Sequence, residues 1–414
     1  MTEYYAGLRF GPASREAITF VDNLAKVIHP KPGNAFVKAL GALIADLLRA
    51  EGLAPGTRCY RQVHNDTFVD QPVGGTGYNE ALGLLQGQGY LDRKPFGTCP
   101  VTGMLKTTRY WATRKLIEEA EAAGLHVSTI DAHLSRFPRP ARLRRPLVAK
   151  MASTKSKAWV KAPGRRIKID YTQARPRVLA EQVNEINAFM ADRVIAPDWH
   201  HAFRRIFNEA DHPRFDFNRG GRLYSVGGGY QMQPSHERAK ITIDGEETVE
   251  VDVKACFLTI LYALHRAPFD PRAAYNIDGV DREAVKLWCV STLSKEGFTQ
   301  KWTRQNKADF LKKTGRDLAK VQPAKGLIAP MIKAHPLLAD WPTSKIRWAD
   351  LQYLESEVMV DTVHALATMY GVPALPVHDS MIVPISQEGL AKRVLKDSFE
   401  RIIGVRPILE TKVF

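Results

Sequence analysis

Apolar residues in the first third of the chain recur at the spacing of amphipathic helices. The pattern is clear in AFVKALGALIADLLRAEG (35–52), which ends at a glycine, and in YNEALGLLQGQGYLDR (78–93). A polar stretch then leads to TTRYWATRKLIEEAEAAG (107–124), where a strand could carry Arg109, Tyr110 and Arg114. The pattern predicts a mostly helical N-terminal domain over residues 1–135. A winged helix is one interpretation of it, and a plain helical subdomain is the other.

The next segment is the most biased in the chain. From Arg136 to Lys168 there are twelve Lys or Arg, no Asp or Glu, and four prolines. So much uncompensated charge, with so many helix breakers, favours a loop or linker over a packed element. We therefore predict a basic linker or arm over residues 136–175. It would be either a plain solvated linker or an arm that follows phosphates and makes binding salt-dependent.

Beyond residue 176 the pattern mixes both periods. Alternation through ERAKITIDGEETVEVDV predicts two strands joined at Asp-Gly, and LPVHDSMIVP (375–384) predicts a closing hairpin. Helical spacing recurs near 177–193, 255–265, 281–295, 303–320 and 351–371. Residues 176–414 therefore read as an α+β domain.

Composition narrows the class of protein. Lys and Arg outnumber Asp and Glu by 59 to 44, which gives a net charge of +15 and suits a partner rich in phosphate. The four cysteines form no CxxC or Cys/His cluster at zinc spacing. The N-terminus has no secretory pattern, and no run approaches 18 apolar residues. We expect a soluble, cytoplasmic protein without a membrane partner or a structural zinc ion.

Two aspartates stand where chemistry could occur. Asp252 closes the strand TVEVDV, and Asp379 lies at the turn of the last hairpin, between apolar strands. Two carboxylates brought together by the fold would repel each other unless a divalent cation lay between them. Taken singly, Asp379 could simply cap a turn and Asp252 could be an exposed strand end.

The order of five sequence motifs along the chain gives further information about the class of protein. The segments GGRLYSVGGGYQMQPSHER (220–238), VDVKACFLTIL (251–261), REAVK (282–286), LQYLES (351–356) and LPVHDS (375–380) together resemble the palm and fingers of family A DNA polymerases. HDS at the last motif is also characteristic of the single-subunit RNA polymerases of phages and mitochondria. The resemblance covers roughly residues 215–385, less than half of the chain.

The resemblance implies an antiparallel palm-type sheet with helical fingers, and a phage- or plasmid-type polymerase that acts on a DNA or RNA primer-template with nucleoside triphosphates. Asp252 and Asp379 would bind two Mg²⁺ ions, or Mn²⁺ in their place. Arg282 and Lys286 would contact the triphosphate, and their i, i+4 spacing puts both on one helix face.

The nucleic acid would meet four further residues. Arg222 and Arg238 would contact its backbone, Gln352 would lie beside the primer terminus, and His378 would hold the primer end. No DxE motif precedes residue 215, so a proofreading exonuclease is not expected.

The sequence departs from the family pattern at several positions. Val290 and Ser294 stand where the motif of REAVK continues to an aromatic residue and a tyrosine, and Phe257 stands where the DNA enzymes carry a glutamate. Arg316 and Lys320 form a second RxxxK, again without the tyrosine. Two alternatives follow: a catalytically inactive replication or transcription factor that binds nucleic acid, and a metal-dependent nuclease built on the same aspartates. DNA or RNA product, primer dependence and oligomeric state stay open.

Overall fold

The chain forms two compact units. The computed structural model describes residues 3–61, 67–94, 107–155, 161–162 and 164–412. Unit 1 comprises Met1–Arg139 with Val226–Gly228, and unit 2 comprises Pro140–Ser225 with Gly229–Phe414. Helices and mainly antiparallel sheets occur in both, so the α+β architecture that the sequence predicts for residues 176–414 is also found in unit 1.

Unit 1 combines four α-helices with six short strands in the described residues. These are β1 (Glu3–Tyr5), β2 (Phe10–Pro12), α1 (Arg15–Ile28), α2 (Asn34–Leu53), β3 (Arg58–Tyr60), α3 (Gly75–Gly87), β4 (Leu91–Lys94), β5 (Arg109–Ala112), α4 (Arg114–Ala122) and β6 (Leu134–Arg136). One sheet has the order β1-β3-β5-β4, and β2 pairs with β6. The apolar stripe of α2, which the sequence pattern identified, is buried in the core of this unit.

The segment 107–124 divides into a strand and a helix. Tyr110 and Ala112 alternate into the core from β5, and then the Thr113 hydroxyl accepts a hydrogen bond from the Leu116 amide as an N-cap. Arg114 therefore begins a helix, so its placement on the strand with Arg109 and Tyr110 is wrong. The stretch 95–106, for which the winged-helix interpretation expects a loop, lies outside the described residues.

Unit 2 holds the remaining elements of the described chain. They are β7 (Leu147–Lys150), β8 (Thr154–Lys155), β9 (Lys161–Ala162), β10 (Arg166–Ile167), α5 (Ala174–Ala191), β11 (Ile195–Ala196), β12 (Phe203–Phe207), β13 (Gly220–Ser225), α6 (Ser235–Arg238), β14 (Thr242–Ile243), β15 (Glu246–Val253), α7 (Cys256–Leu264), α8 (Arg282–Leu293), α9 (Arg304–Thr314), α10 (Leu318–Val321), α11 (Ile328–Ala334), α12 (Trp348–Met369), β16 (Leu375–Val377), β17 (Ser380–Pro384), α13 (Glu388–Ile403) and β18 (Leu409–Lys412).

One part of the predicted loop at 136–168 is a packed strand. Leu147, Val148 and Ala149 are buried in β7, which pairs in parallel with β12 in the sheet β10-β7-β12-β13. Three consecutive apolar residues are enough for a short strand that is covered on both faces, whatever the charge of the flanking residues. The loop prediction is therefore wrong for this stretch. Residues 156–160 and 163 of the same segment lie outside the described chain.

The sheet that carries both aspartates has six strands. Its order is β11-β14-β15-β17-β16, and β18 pairs with β15 on the side opposite β17. Asp244 and Gly245, both with positive φ, form the tight turn between β14 and β15 that the Asp-Gly signal predicts. Val249, Val251 and Val253 face the core, which leaves Glu250 and Asp252 on the other face.

Two further predictions can be checked along the chain. The helix expected over 303–320 is interrupted, because Gly315 takes a left-handed conformation that ends α9 after Thr314. The helix expected over 351–371 is present as α12.

Among the residues described, none of the helices has both the length and the apolar character needed to cross a membrane.

Candidate active site

The sheet brings the two aspartates to one end of a strand pair. β15 and β17 run antiparallel in a register that places Asp252 opposite Ser380, the residue after Asp379. The next ladder bond joins the Val253 amide to the Asp379 carbonyl oxygen at 3.2 Å. Long-range strand pairing thus brings together two residues that are far apart in sequence.

A non-glycine residue with positive φ lies within three residues of each aspartate in the sequence. Ala255, which starts the turn into α7, has φ 49°, and His378 has φ 59°. Such residues cost about 1–3 kcal/mol each, so the surrounding structure must hold them in place. The hairpin is held from outside the sheet: the Tyr230 hydroxyl and the Gln231 side-chain amide both donate to the Pro376 carbonyl oxygen, at 2.6 and 2.8 Å.

A third carboxylate borders the aspartates. Glu355 on α12 is 1% exposed, and its two oxygens accept hydrogen bonds from Arg222 Nε at 2.9 Å and Nη2 at 2.5 Å. Burial raises the pKa of Glu355, and the charge of Arg222 opposes that shift. The sequence analysis did not select Glu355. The available signal was an acid on the apolar stripe of a helix, between Leu351 and Val358.

The electrostatics around Asp379 favour a bound cation. Burial, then the charges of Glu355 and Asp252, raise the pKa of Asp379 to about 7, although Arg222 acts in the opposite direction. A carboxyl group is shifted this way when negative charge is crowded and poorly hydrated. A divalent cation would relieve the crowding.

The donor set suits Mg²⁺ better than a metal that needs a complete protein cage. No three His, Cys, Asp or Glu side chains converge as a metal site in the part of the chain that the structure describes. Mg²⁺ usually binds one or two carboxylates and completes its shell with water and substrate phosphates. Asp252 and Asp379 would supply two such carboxylates, and a metal ion bound to them stays a prediction.

A second carboxylate on β15 lies beside Asp252 and is neutralised by cations. Glu250 is 1% exposed and accepts hydrogen bonds from Arg238 Nη2 at 2.8 Å and the Ser380 hydroxyl at 2.9 Å. Lys412 Nζ lies 3.1 Å from Glu250 Oε1 and 2.5 Å from Asp252 Oδ2. Burial acts to raise the pKa of Glu250, but Arg238 and Lys412 outweigh it and the pKa is lowered. Neither Glu250 nor Lys412 was predicted.

The two arginines assigned to the nucleic-acid backbone both make internal ion pairs. The guanidinium group of Arg222 pairs with Glu355, and that of Arg238 pairs with Glu250. Their side chains are 17% and 13% exposed, respectively. These pairs place both arginines around the aspartates, while their contact with nucleic acid stays a prediction.

The two cations assigned to the triphosphate lie on the first turn and a half of α8. Both side chains are exposed and lie near the ring of the buried Tyr275. Arg282 Cζ is 5.9 Å and Lys286 Nζ is 6.0 Å from the centroid of that ring. A hydrogen bond from Lys254 lowers the pKa of Glu410, and the charges of Lys254, Lys286 and Arg282 act in the same direction. Glu410 lies opposite Asp252 in the β15–β18 register. Of the second RxxxK, Arg316 precedes α10 and pairs with Asp281 at 2.7 Å.

The last two predicted residues flank the same region. Gln352 lies on α12 one turn before Glu355, and its side-chain oxygen accepts from Asn208 Nδ2 at 3.1 Å. Lost hydration, then the charges of Arg222 and Arg238, lower the pKa of His378 to about 4, although the residue keeps an exposed face. His378 is therefore neutral near pH 7 and can form a hydrogen bond without carrying a charge.

Comparisons with known proteins give little beyond this geometry. No family model matches the chain, and no curated protein matches it. Among solved structures, the chain is similar to the POL domain of Pol1 from M. smegmatis in complex with a DNA primer-template and dNTP, with a TM-score of 0.31 and 11% identity. The match covers 97% of this chain and 66% of that one. A TM-score this low supports neither a fold assignment nor a functional one.

Proposed function

We propose that unit 2 is a template-directed nucleotidyltransferase, a DNA or RNA polymerase of the family A type. One observation carries the proposal: strand pairing places Asp252 and Asp379 at the same end of β15 and β17, in a setting that raises the pKa of Asp379. The five sequence motifs that resemble the family lie in unit 2, apart from Val226–Gly228 of the first motif, which belong to unit 1, and two of the motifs contain these aspartates.

Each group of side chains in the site would have one role in the reaction. The 3′-hydroxyl of a primer forms a bond to the α-phosphorus of a nucleoside triphosphate, and the bond to pyrophosphate breaks. Asp252 and Asp379 would hold two Mg²⁺ ions, which when bound would activate the hydroxyl for loss of its proton and neutralise charge on the leaving group. Arg282 and Lys286, two exposed cations of one helix face, would bind the triphosphate.

Two further groups would position the primer and the aspartates. Neutral His378 would donate a hydrogen bond to the primer end. The Arg222–Glu355 pair would fix the wall of the site, because a bidentate ion pair allows little change of geometry.

The nucleic-acid partner is supported by charge and by the element order of unit 1. The chain carries +15. In unit 1 the order α2, β3, α3 and the hairpin β4–β5, with β5 between β3 and β4, is compatible with the winged-helix interpretation. We propose that unit 1 contributes to binding the primer-template.

Primer extension tests the proposal. Wild-type protein is incubated with Mg²⁺, DNA or RNA templates, labelled primers and each of the eight nucleotides. Asp252→Ala and Asp379→Ala should each abolish incorporation, whereas the exposed control Asp397→Ala, whose ion pair with Arg406 lies outside the site, should retain it. Incorporation that survives either substitution in the site would overturn the assignment.

The same assay separates the alternatives. Salt-dependent binding of DNA without incorporation of any nucleotide would identify an inactive binding factor. Cleavage of the substrate in the absence of nucleotides would identify a nuclease. A mismatched primer end should persist, since no proofreading activity is expected of the polymerase.

A further inference from the structure

We propose that Lys412 is a tethered cation that competes with the metal for Asp252. The inference rests on the proposed function, because it concerns the metal site of that reaction. Its basis is the position of one ammonium group, 2.5 Å from Asp252 Oδ2 and 3.1 Å from Glu250 Oε1. No motif of the sequence analysis included this lysine.

Strand pairing delivers the lysine to this position. β18 pairs with β15 in a register that places Lys412 opposite Glu250 and Glu410 opposite Asp252. The side chain of Lys412 therefore reaches diagonally, from its direct partner Glu250 to Asp252 on the same face of the sheet. Two contacts anchor β18: Glu410 pairs with Lys254 at 2.5 Å, and the Thr411 hydroxyl donates to Glu388 at 2.6 Å.

The arrangement gives the ammonium two carboxylates to share. A divalent ion bound at Asp252 must compete for an oxygen already engaged by Lys412, and it is also repelled by the positive charge. Glu250 offers the lysine an alternative partner at only slightly greater distance. Lys412 can thus leave Asp252 without leaving the sheet. In the metal-free protein it keeps Asp252 neutralised, and it yields when metal arrives with substrate phosphates.

A purely structural role predicts a different result. If Lys412 only fixed β18 to β15, its removal would lower stability and loosen Asp252, and metal binding would weaken or stay the same. Tighter metal binding after removal of a positive charge is the outcome specific to competition. It is measured on the protein alone, without substrate or turnover.

The experiment measures Mn²⁺ binding by electron paramagnetic resonance of the free ion, at low ionic strength, for wild type and three variants. Lys412→Met should bind Mn²⁺ about five-fold more tightly, as expected for the loss of one competing, half-exposed ion pair. Lys412→Arg keeps the charge and should stay near the wild-type affinity. Arg142→Met is the control for net charge, since Arg142 makes a 2.5 Å ion pair with Glu181 on the surface, outside the site.

Adding Asp252→Asn to each protein separates failure of this inference from failure of the proposed function. If wild type binds Mn²⁺ in a way that needs Asp252, but Lys412→Met binds no more tightly, competition is overturned and the metal site stands. If neither protein shows binding that depends on Asp252, the metal site itself is overturned. Tightening in Arg142→Met as large as that in Lys412→Met would also overturn competition, because it would reflect net charge alone.

Discussion

At the scale of single residues, the buried Glu355 lies between the charge of Arg222 and that of Asp379. It is almost fully buried, its negative charge helps to raise the pKa of Asp379, and its own charge is balanced by Arg222. Removing one partner of a buried ion pair leaves the other charge uncompensated, whereas replacing both by apolar side chains costs much less.

Arg222→Met should therefore lower the free energy of unfolding by about 3 kcal/mol or more. The double variant Arg222→Met with Glu355→Leu should recover most of that loss. Urea denaturation followed by tryptophan fluorescence measures both. Arg142→Met is the control, because Arg142 also pairs with a glutamate at 2.5 Å but on the surface, and its loss should have no measurable effect. A single variant as stable as wild type would show that Arg222 does not compensate a buried charge.

Asp46 gives unit 1 a dependence on pH. The residue is 1% exposed, and its carboxylate accepts a hydrogen bond from the Leu8 amide at 2.7 Å. Burial raises the pKa of Asp46 to about 6, despite that bond and the charges of Arg49 and Arg61. The folded pKa lies above the unfolded one, so its stabilising effect is complete below about pH 4 and is lost as pH rises through about 6.

The stability of unit 1 should accordingly fall by up to about 3 kcal/mol between pH 4 and 6.5 through this residue. Asp46→Asn should remove that part of the pH dependence. Hydrogen exchange of α2 amides at several pH values measures it on this unit alone. An unchanged pH profile in Asp46→Asn would contradict the assignment.

At the scale of elements, the contact between β13 and α12 sets the position of Arg222. Gly220 and Gly221 have φ values of 73° and 89°, and Ser356 donates a hydrogen bond to the Gly220 carbonyl oxygen at 2.8 Å. A Cβ atom at Gly221 would lie 2.8 Å from Ser356 Oγ and 2.9 Å from Arg205 Nη2. Only glycine allows both the backbone conformation and the close approach.

Gly221→Ala should therefore destabilise unit 2 by more than about 1 kcal/mol, since alanine is strained at this φ and collides with α12. It should also reduce nucleotide incorporation, because the strand that carries Arg222 must shift. Gly389→Ala is the control: that glycine is in the first turn of α13 with open space around it, and the substitution should be neutral or stabilising. Thermal unfolding and primer extension on both variants check the pair. Equal behaviour of the two would refute the role of Gly221.

Local signals predicted many of these elements, and long-range contacts decided the rest. The Asp244–Gly245 turn, the closing hairpin and α12 follow from residues adjacent in sequence. β7 was missed because its neighbour β12 is supplied by a distant part of the chain. The break after α9 depends on the conformation of one glycine, which periodicity does not report.

At the scale of the whole molecule, the candidate site could be only half predicted. Motif order selected Asp252 and Asp379, and strand pairing places them together. The sequence analysis did not select Glu250, Glu355 or Lys412, because the contacts that matter for each are made with residues on other elements. A charged residue in an otherwise apolar or alternating stretch is the signal that could have found the two glutamates.

The net charge of the chain leads to a prediction about binding. Affinity for a DNA primer-template should fall at least about tenfold between 50 and 200 mM salt, because binding releases counterions from the phosphates and added salt opposes that release. Fluorescence anisotropy with a labelled primer-template measures the slope. Asp397→Ala should leave the slope of affinity against salt concentration unchanged within error. It should raise the affinity itself by a small and equal factor at every salt concentration. Binding that does not respond to salt would exclude the phosphate backbone as the main contact.

The central claim is that Asp252 and Asp379 hold metal together. Its most direct measurement is the anomalous scattering of Mn²⁺ in crystals grown with a primer-template and a non-hydrolysable nucleotide. The claim predicts a Mn²⁺ ion bonded to carboxylate oxygens of both residues and to phosphate oxygens of the nucleotide. A Mn²⁺ ion bonded to neither aspartate, or to only one of them with the other turned away, would contradict it.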